Sequence, residues 1–340
     1  MIIIFLFSLM LLFSSNNLLI NKNLAYDETK LDLPIFRMNN AYGVVSNTDN
    51  FNFVAVGDWD CTSETEDTVD NIIDKDPELI LALGDLSYDD SAECWLELIE
   101  PIADRTKIAL GNHENESSTK LKDFMEFFEL EKQYYSFNYK NVHFLALSTE
   151  VPYGDDSQQY EFAINDLEKY STDSSIDWII VFFHRQSYSS AAHIEDEEYF
   201  RDTYHPLFDK YKVDLALQSH LHVYERNYPI NFNNDNKDEP IIKDRNPNLY
   251  ENPTGTIFIT VGTGGAHEIK LADNKDYFSA IGIESEFGIL NINVENDNGS
   301  SNDDKDNNIR ILTGSFIQNE DDEEYNILDQ FKISKDNLKL

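Results

Sequence analysis

Phe51-Asn52-Phe53-Val54-Ala55-Val56-Gly57-Asp58-Trp59-Asp60 is an apolar run that stops on a glycine and an acid. Such a run reads as a buried strand, and the glycine and aspartate read as the turn at its carboxyl end. The same arrangement recurs four times. Leu79–Leu83 precedes Gly84-Asp85-Leu86-Ser87-Tyr88, and Ile108–Leu110 precedes Gly111-Asn112-His113-Glu114. Trp178–Phe183 leads into His184-Arg185-Gln186-Ser187-Tyr188, and Val213–Gln218 into Ser219-His220-Leu221-His222. In open α/β sheets, functional loops gather at the carboxyl ends of strands. Residues far apart in the chain are thus expected to converge on one crevice. Their side chains are oxygen and imidazole donors, a mixture suited to iron, manganese or zinc.

Working outward, helical patterns separate these strands. Thr62–Lys75 carries Val69, Ile72 and Ile73 on one stripe, with Ser63 and Glu66 fitting a capping box. Glu93–Ile102, Ser118–Phe128, Gln158–Tyr170 and Phe200–Tyr211 also read as helices. Tyr134–Asn138 and Val142–Ser148 read as a hairpin. Thr256–Val261, Phe287–Val294, Arg310–Ser315 and Ile327–Ile333 are further strands, the last three expected to be antiparallel. Glu295–Asn308 is polar and aperiodic and reads as a flexible loop, and Asn231–Asn252 as a similar excursion. Gly262-Thr263-Gly264-Gly265 precedes no helix, so it is not read as a dinucleotide site.

Composition narrows the function. The chain has 340 residues, 41% of them hydrophobic, and a formal net charge of −38. A chain this acidic would repel a phosphate backbone, which excludes nucleic-acid binding by a basic face. It does not exclude small phosphate esters. Exposed charges are screened beyond about 8 Å at physiological salt, and bound multivalent cations dominate a site locally. Ile2–Phe13 is apolar and shorter than a membrane span, so residues 1–25 are expected to be a signal peptide or N-terminal anchor. Residues 26–50 follow as an extension and 51–335 as the catalytic domain. The protein is then secreted or at the cell surface, and any membrane association runs through its N-terminus. Cys61 and Cys94 each lie just past a motif strand, leaving open a disulfide or two buried thiols. Asn115-Glu116-Ser117 and Asn298-Gly299-Ser300 are glycosylation sequons, a pattern common by chance.

These motifs, in this order, resemble the metallophosphoesterase superfamily, also called calcineurin-like phosphoesterases. Gly84-Asp85-Leu86-Ser87-Tyr88 and His220-Leu221-His222-Val223-Tyr224-Glu225-Arg226 resemble its purple acid phosphatase branch. The resemblance runs from about Phe51 to Ile333. It implies a four-layer αββα sandwich of two mixed sheets with a dimetal site at one edge. It implies that Asp58, Tyr88 and His222 bind Fe(III), that Asn112, His184 and His220 bind Fe(II), Zn(II) or Mn(II), and that Asp85 bridges the two. His113 would protonate the leaving group, and His193 would contact substrate. The implied reaction is hydrolysis of phosphomonoesters by direct attack of metal-bound hydroxide. Phosphodiester or nucleotide hydrolysis and a non-catalytic surface protein of the same fold are the alternatives.

The chain departs from the branch at three positions. Asp60 and Ser219 stand where glycine is usual, and Gln186 where proline is common. Asp60 is either a further ligand or a turn residue facing solvent. Ser219 is tolerated unless its backbone needs a positive φ, and Gln186 is expected to loosen the loop carrying His193. His143 and His205 are read as structural, and Arg185 and Arg226 as partners of local carboxylates. His267, after the glycine-rich turn, is weighed as a neighbour of the site and not chosen.

Overall fold

A computed structural model describes residues 50–190, 197–267, 270–271, 276–297, 309–319 and 326–336. The expected leader, the extension up to 49 and His193 lie outside them, as do residues 298–308 of the polar stretch and its sequon. The described residues all belong to one compact unit.

Each apolar run is a strand that ends at or beside its motif. The strands are β1 (Phe51–Val56), β2 (Leu79–Leu83), β3 (Thr106–Ala109), β4 (Tyr135–Tyr139), β5 (Val142–Ala146), β6 (Trp178–Arg185), β7 (Leu215–Ser219) and β8 (Tyr224–Asn227). They continue with β9 (Ile230–Asn231), β10 (Ile241–Ile242), β11 (Leu249–Glu251), β12 (Ile257–Val261), β13 (Ser279–Ile283), β14 (Gly288–Asp297), β15 (Ile309–Gln318) and β16 (Ile327–Asp336). The helices are α1 (Ser63–Lys75), α2 (Glu93–Leu98), α3 (Asn112–Asn115), α4 (Ser118–Phe127), α5 (Gln158–Tyr170) and α6 (Glu198–Tyr211).

Two seven-stranded sheets result, ordered β11-β16-β15-β14-β1-β2-β3 and β13-β8-β12-β7-β6-β5-β4. Both are mixed. β1, β2 and β3 are parallel, while β14, β15 and β16 add antiparallel. β5, β6, β7 and β12 are parallel neighbours in the second sheet. Side-chain alternation explains the layering. Ile180 and Phe182 of β6 join the core between the sheets, with Phe53 of β1 edge-on to Phe144 of β5 at 5.3 Å. Ile179, Val181 and Phe183 point the other way, into a second core with Leu167 of α5 and Phe200 and Phe208 of α6. Val69 and Ile72 of α1 and Trp95 of α2 pack on the first sheet. The architecture is the expected four-layer α/β sandwich.

The differences from the sequence reading are local. The N-cap of α1 is Thr62, whose Oγ1 accepts from Thr65 N at 3.3 Å; Ser63 is already helical, so the Ser63–Glu66 capping box does not form. The Glu93–Ile102 helix breaks after Leu98 into a 3₁₀ turn over Glu100–Arg105, because Pro101 has no N–H to continue the α pattern. Asn231–Asn252 is not wholly irregular. β9 and β10 form a two-stranded ribbon, and β11 pairs with β16 at the edge of the first sheet. Glu295–Asp297 extend β14. β8 and β13 had no clear signature: β8 is buried throughout although three of its four residues are polar, and β13 is half-buried along its whole length, so neither alternates.

Candidate metal centre

The site lies where β1, β2, β3, β6 and β7 end. Asp58, Asp85 and His220 all adopt positive φ, at 56°, 47° and 71°. Such backbone costs about 1–3 kcal/mol at a non-glycine residue and persists only where the surroundings impose it. Three strained residues at three strand ends, all aiming carboxylate or imidazole inward, mark a functional crevice. Close packing enforces this. A Cβ on Gly84, itself at φ 92°, would sit 2.7 Å from His184 Nδ1, and one on Gly111 would meet Asp85 Oδ1 at 2.2 Å.

The donor atoms fall into two groups. In the first, Tyr88 OH is 2.8 Å from His222 Nε2 and 3.3 Å from Asp58 Oδ1, and His222 Nε2 is 3.5 Å from Asp58 Oδ1. In the second, His184 Nε2 lies 3.1 Å from Asp85 Oδ2, 3.2 Å from Asn112 Oδ1 and 3.1 Å from His220 Nδ1. Ligands bound to one cation at about 2.0–2.2 Å stand roughly 3.0–3.6 Å apart. The second group has that spacing throughout, and the first has it except for the closer Tyr88–His222 pair at 2.8 Å.

The outer hydrogen bonds fix which atoms are acceptors. His184 Nδ1 is 3.0 Å from Leu83 O, a carbonyl that can only accept, so Nδ1 donates and Nε2 carries the lone pair. His222 Nδ1 donates to His267 O in the same way. Bare lone pairs of imidazole, carboxylate and amide therefore face one another. A cation, or protons in its place, is what such a set requires. The charges agree. Burial is the largest influence and would lower His184, but Asp85, Asp58 and Glu114 together overcome it and raise the imidazole to about 9. Burial, then the charged His184 nearby, lowers His220 to about 3. Asp85 falls below the usual carboxylate range because His184 and the His113 amide overcome its burial. Burial, then Asp58 and Asp85, push the Tyr88 phenol up.

Two residues whose role the sequence reading left unassigned hold these side chains in place. Glu114, fully buried, accepts from Asp85 N at 2.9 Å and Gly111 N at 2.8 Å through Oε2, and from Leu86 N at 2.8 Å through Oε1. It latches the β2 loop to the β3 loop. Burial and then Asp85 raise it to about 7, against the pull of the amides. Its signal was its place at the third position of α3, where a carboxylate reaches back to the cap. Ser219 Oγ donates to Asp58 Oδ2, and His220 N donates to the same oxygen at 2.8 Å, leaving Oδ1 for Tyr88 and His222. The positive φ is at His220 and not at Ser219. β7 ends at Ser219, and both His220 and His222 lie in the turn beyond it.

His113 sits under the Tyr88 ring, with centroids 4.1 Å apart, its N donating to Asp85 Oδ1 at 2.9 Å and its Nε2 3.9 Å from Asp85 Oδ2. It is partly exposed, beside the ligands but outside both groups. Asp60 Oδ1 accepts from Cys61 N at 2.8 Å, which favours the turn reading. Cys61 and Cys94 form a disulfide. His143 is buried between Asn138 and Asp166, and His205 between Tyr188 and Ile230 O, as structural residues. Arg185 pairs with Glu150 at 2.7 Å and Arg226 with Asp329. Gln186 is buried, and its carbonyl accepts from Glu197 N at 2.8 Å. His267 does border the site, through its carbonyl and with its ring 4.8 Å from His222. The glycine-rich turn brings it there: Gly264 N donates to Gly57 O and Ala266 N to Asp58 O, both at 2.9 Å.

The sequence profile of the calcineurin-like phosphoesterases matches residues 51–224. The chain belongs to that family. Among curated calcineurin-like phosphoesterases, purple acid phosphatase 23 of Arabidopsis thaliana is 27% identical over 253 residues, 62% of this chain and 51% of the relative. Acid phosphatase type 7 of Mus musculus is 32% identical over 224 residues, 56% of this chain and 49% of the relative. The chain thus spans about half the length of the curated relatives it matches. In fold it is similar to purple acid phosphatase PPD1 of yellow lupin (TM-score 0.69, 24% identity, 85% of this chain and 54% of that one). It also resembles GAP50, an anchor in the inner membrane complex of Plasmodium (TM-score 0.58, 16% identity, 83% and 88%).

Proposed function

We propose that this calcineurin-like phosphoesterase is an acid phosphatase that hydrolyses small phosphomonoesters at a dimetal centre. The supporting observation is the sorting of seven donor side chains into two groups whose lone pairs face inward. Asp58, Tyr88 and His222 would hold one cation, and Asn112, His184 and His220 the other, with Asp85 shared. The phenol of Tyr88 favours a hard trivalent ion such as Fe(III) in the first group; the second suits Fe(II), Zn(II) or Mn(II). Bound cations would supply a water nucleophile at low pH and neutralise charge on a phosphoryl group.

The chain supplies the remaining parts. Glu114, Ser219 and the carbonyls of Leu83 and His267 orient the ligands. His113, packed on Tyr88 and open to solvent, would deliver a proton to the leaving oxygen, a contribution of about 10²–10⁴-fold. His193 is proposed to contact substrate, on the resemblance alone. Residues 51–335 would form the catalytic domain. A disulfide between Cys61 and Cys94 supports passage through an oxidising compartment, so we place the protein outside the cell or at its surface.

Purified protein should cleave p-nitrophenyl phosphate below neutral pH, and Asp85→Ala should lower kcat/KM by more than about 10³-fold while remaining folded. An inert wild type holding two metal ions would overturn the reading. Bis-p-nitrophenyl phosphate and nucleotides in the same assay separate monoesterase from diesterase or nucleotidase. Visible absorption that disappears in Tyr88→Phe would identify the trivalent iron.

A further inference from the structure

Lys120 lies in the first turn of α4 and is 2% exposed. Both circumstances are unfavourable for a lysine. Burial strips water from the ammonium, and a helix N-terminus prefers anions. Something specific must hold it there. Its Nζ donates to Ser87 O at 3.0 Å and to Asp89 O at 2.7 Å. These two carbonyls bracket Tyr88, whose hydroxyl reaches His222 Nε2 and Asp58 Oδ1. Bonds from an ionised donor are roughly twice as strong as neutral ones. Two of them fix the main chain on either side of a single residue. The loop's own ties are two bonds between neutral groups: Ser87 Oγ donates to Ser91 O at 3.0 Å, and Asp89 N to Ser87 Oγ at 3.3 Å.

The helix that supplies Lys120 begins shortly after α3, which carries Asn112 and His113. Lys120 therefore connects the third motif to the loop of the second from beneath. Glu114 makes the matching connection on the Asp85 side, through the amides of Asp85 and Leu86. One buried anion grips amides before Tyr88, and one buried cation grips carbonyls around it.

We propose that Lys120 is a positioning residue that presents the Tyr88 phenol to the first group of ligands. The proposal rests on the reading of Tyr88 as a metal ligand. Its test is a double-mutant cycle on metal affinity in the full chain. Fe(III) affinity, which reports on the group containing Tyr88, is measured by chelator competition for wild type, Lys120→Met, Tyr88→Phe and the double variant, with folding followed by circular dichroism. Residues that orient ligands typically cost 10–100-fold in affinity when removed, so K120M should weaken binding by about 10-fold or more. In the Tyr88→Phe background the same change should cost less than about twofold, because the phenol it serves is gone.

Lys120→Gln, which keeps a donor and drops the charge, goes through the same cycle, so a K120M that does not fold leaves the test intact. Folded variants that bind Fe(III) as tightly as wild type would overturn the proposal. So would a loss that persists undiminished in Tyr88→Phe. A wild type that binds metal but cleaves no phosphate ester removes the phosphatase reading and leaves this cycle decisive. A wild type that binds no metal removes both.

Discussion

Arg226 and Asp329 join the second sheet to the first through bonds of 2.7 and 2.8 Å, whereas Asp85 and His184 join them through a cluster that is mostly acceptors. Both junctions are buried, polar and aromatic-rimmed. In the first, every strong donor has an acceptor. The Arg226 guanidinium meets both Asp329 oxygens and the Tyr250 hydroxyl, and Tyr224 OH donates to Asp329 at 2.7 Å. Phe331 covers the guanidinium, its ring centroid 4.7 Å from Cζ. In the second, imidazole, carboxylate and amide lone pairs converge with too few protons between them. A self-sufficient junction is structural. One that is short of protons is where we propose the cations bind.

The contrast can be broken from either side. Arg226→Met should destabilise the protein by about 3–5 kcal/mol, because it leaves the Asp329 charge buried without its partner. Thermal or urea unfolding measures this, and the molecules that stay folded should keep their metal affinity. A stability unchanged by Arg226→Met would end the distinction. Glu114→Gln acts on the other junction. It removes a charge from the latch and gives it an amide group where three N–H groups point, so metal affinity should fall by about 10–100-fold in a chelator titration. Stability of the metal-free protein should change much less.

The smallest effect sharpens the comparison by pH. His184 is raised to about 9 in the metal-free site, above the usual histidine value of about 6.5. A raised folded-state value contributes stability that is fully present below about pH 6.5 and lost as pH rises through about 9. Metal-free protein should therefore lose stability across that window in denaturant titrations at stepped pH. Metal-loaded protein should lose less, since the cation has replaced the proton, and metal affinity itself should rise over the same range. His184→Asn should flatten the metal-free profile.

Much of this was legible without coordinates. The strands carrying Asp58, Asp85, Asn112, His184 and His220 were readable because each is an apolar run closed by a turn residue. α5 was readable end to end, since Gln158–Tyr170 has a clear stripe and a serine cap. The short edge strands were not. β11 is Leu249–Glu251, three residues inside a polar excursion, and exists because β16 offers it an open edge. The break at Pro101 and the cap at Thr62 turned on single residues, where periodicity has no resolution.

Within the site, the identity of the donors was set by local sequence, whereas their grouping came only through the family resemblance and no residue pattern encodes it. Residue type and order put Asp58, Asp85, Tyr88, Asn112, His184, His220 and His222 at strand ends, because side-chain chemistry and hydrophobic period are local properties. Which of them face one another was decided by the packing of two sheets. So were the ring nitrogen each histidine turns inward, the carboxylate of Glu114 between two loops, and the amine of Lys120 beneath Tyr88. Those relations join residues far apart in the chain, 162 positions in the case of His220 N and Asp58 Oδ2. No local pattern records them, since a hydrogen bond across a fold depends on where the whole core places its two ends.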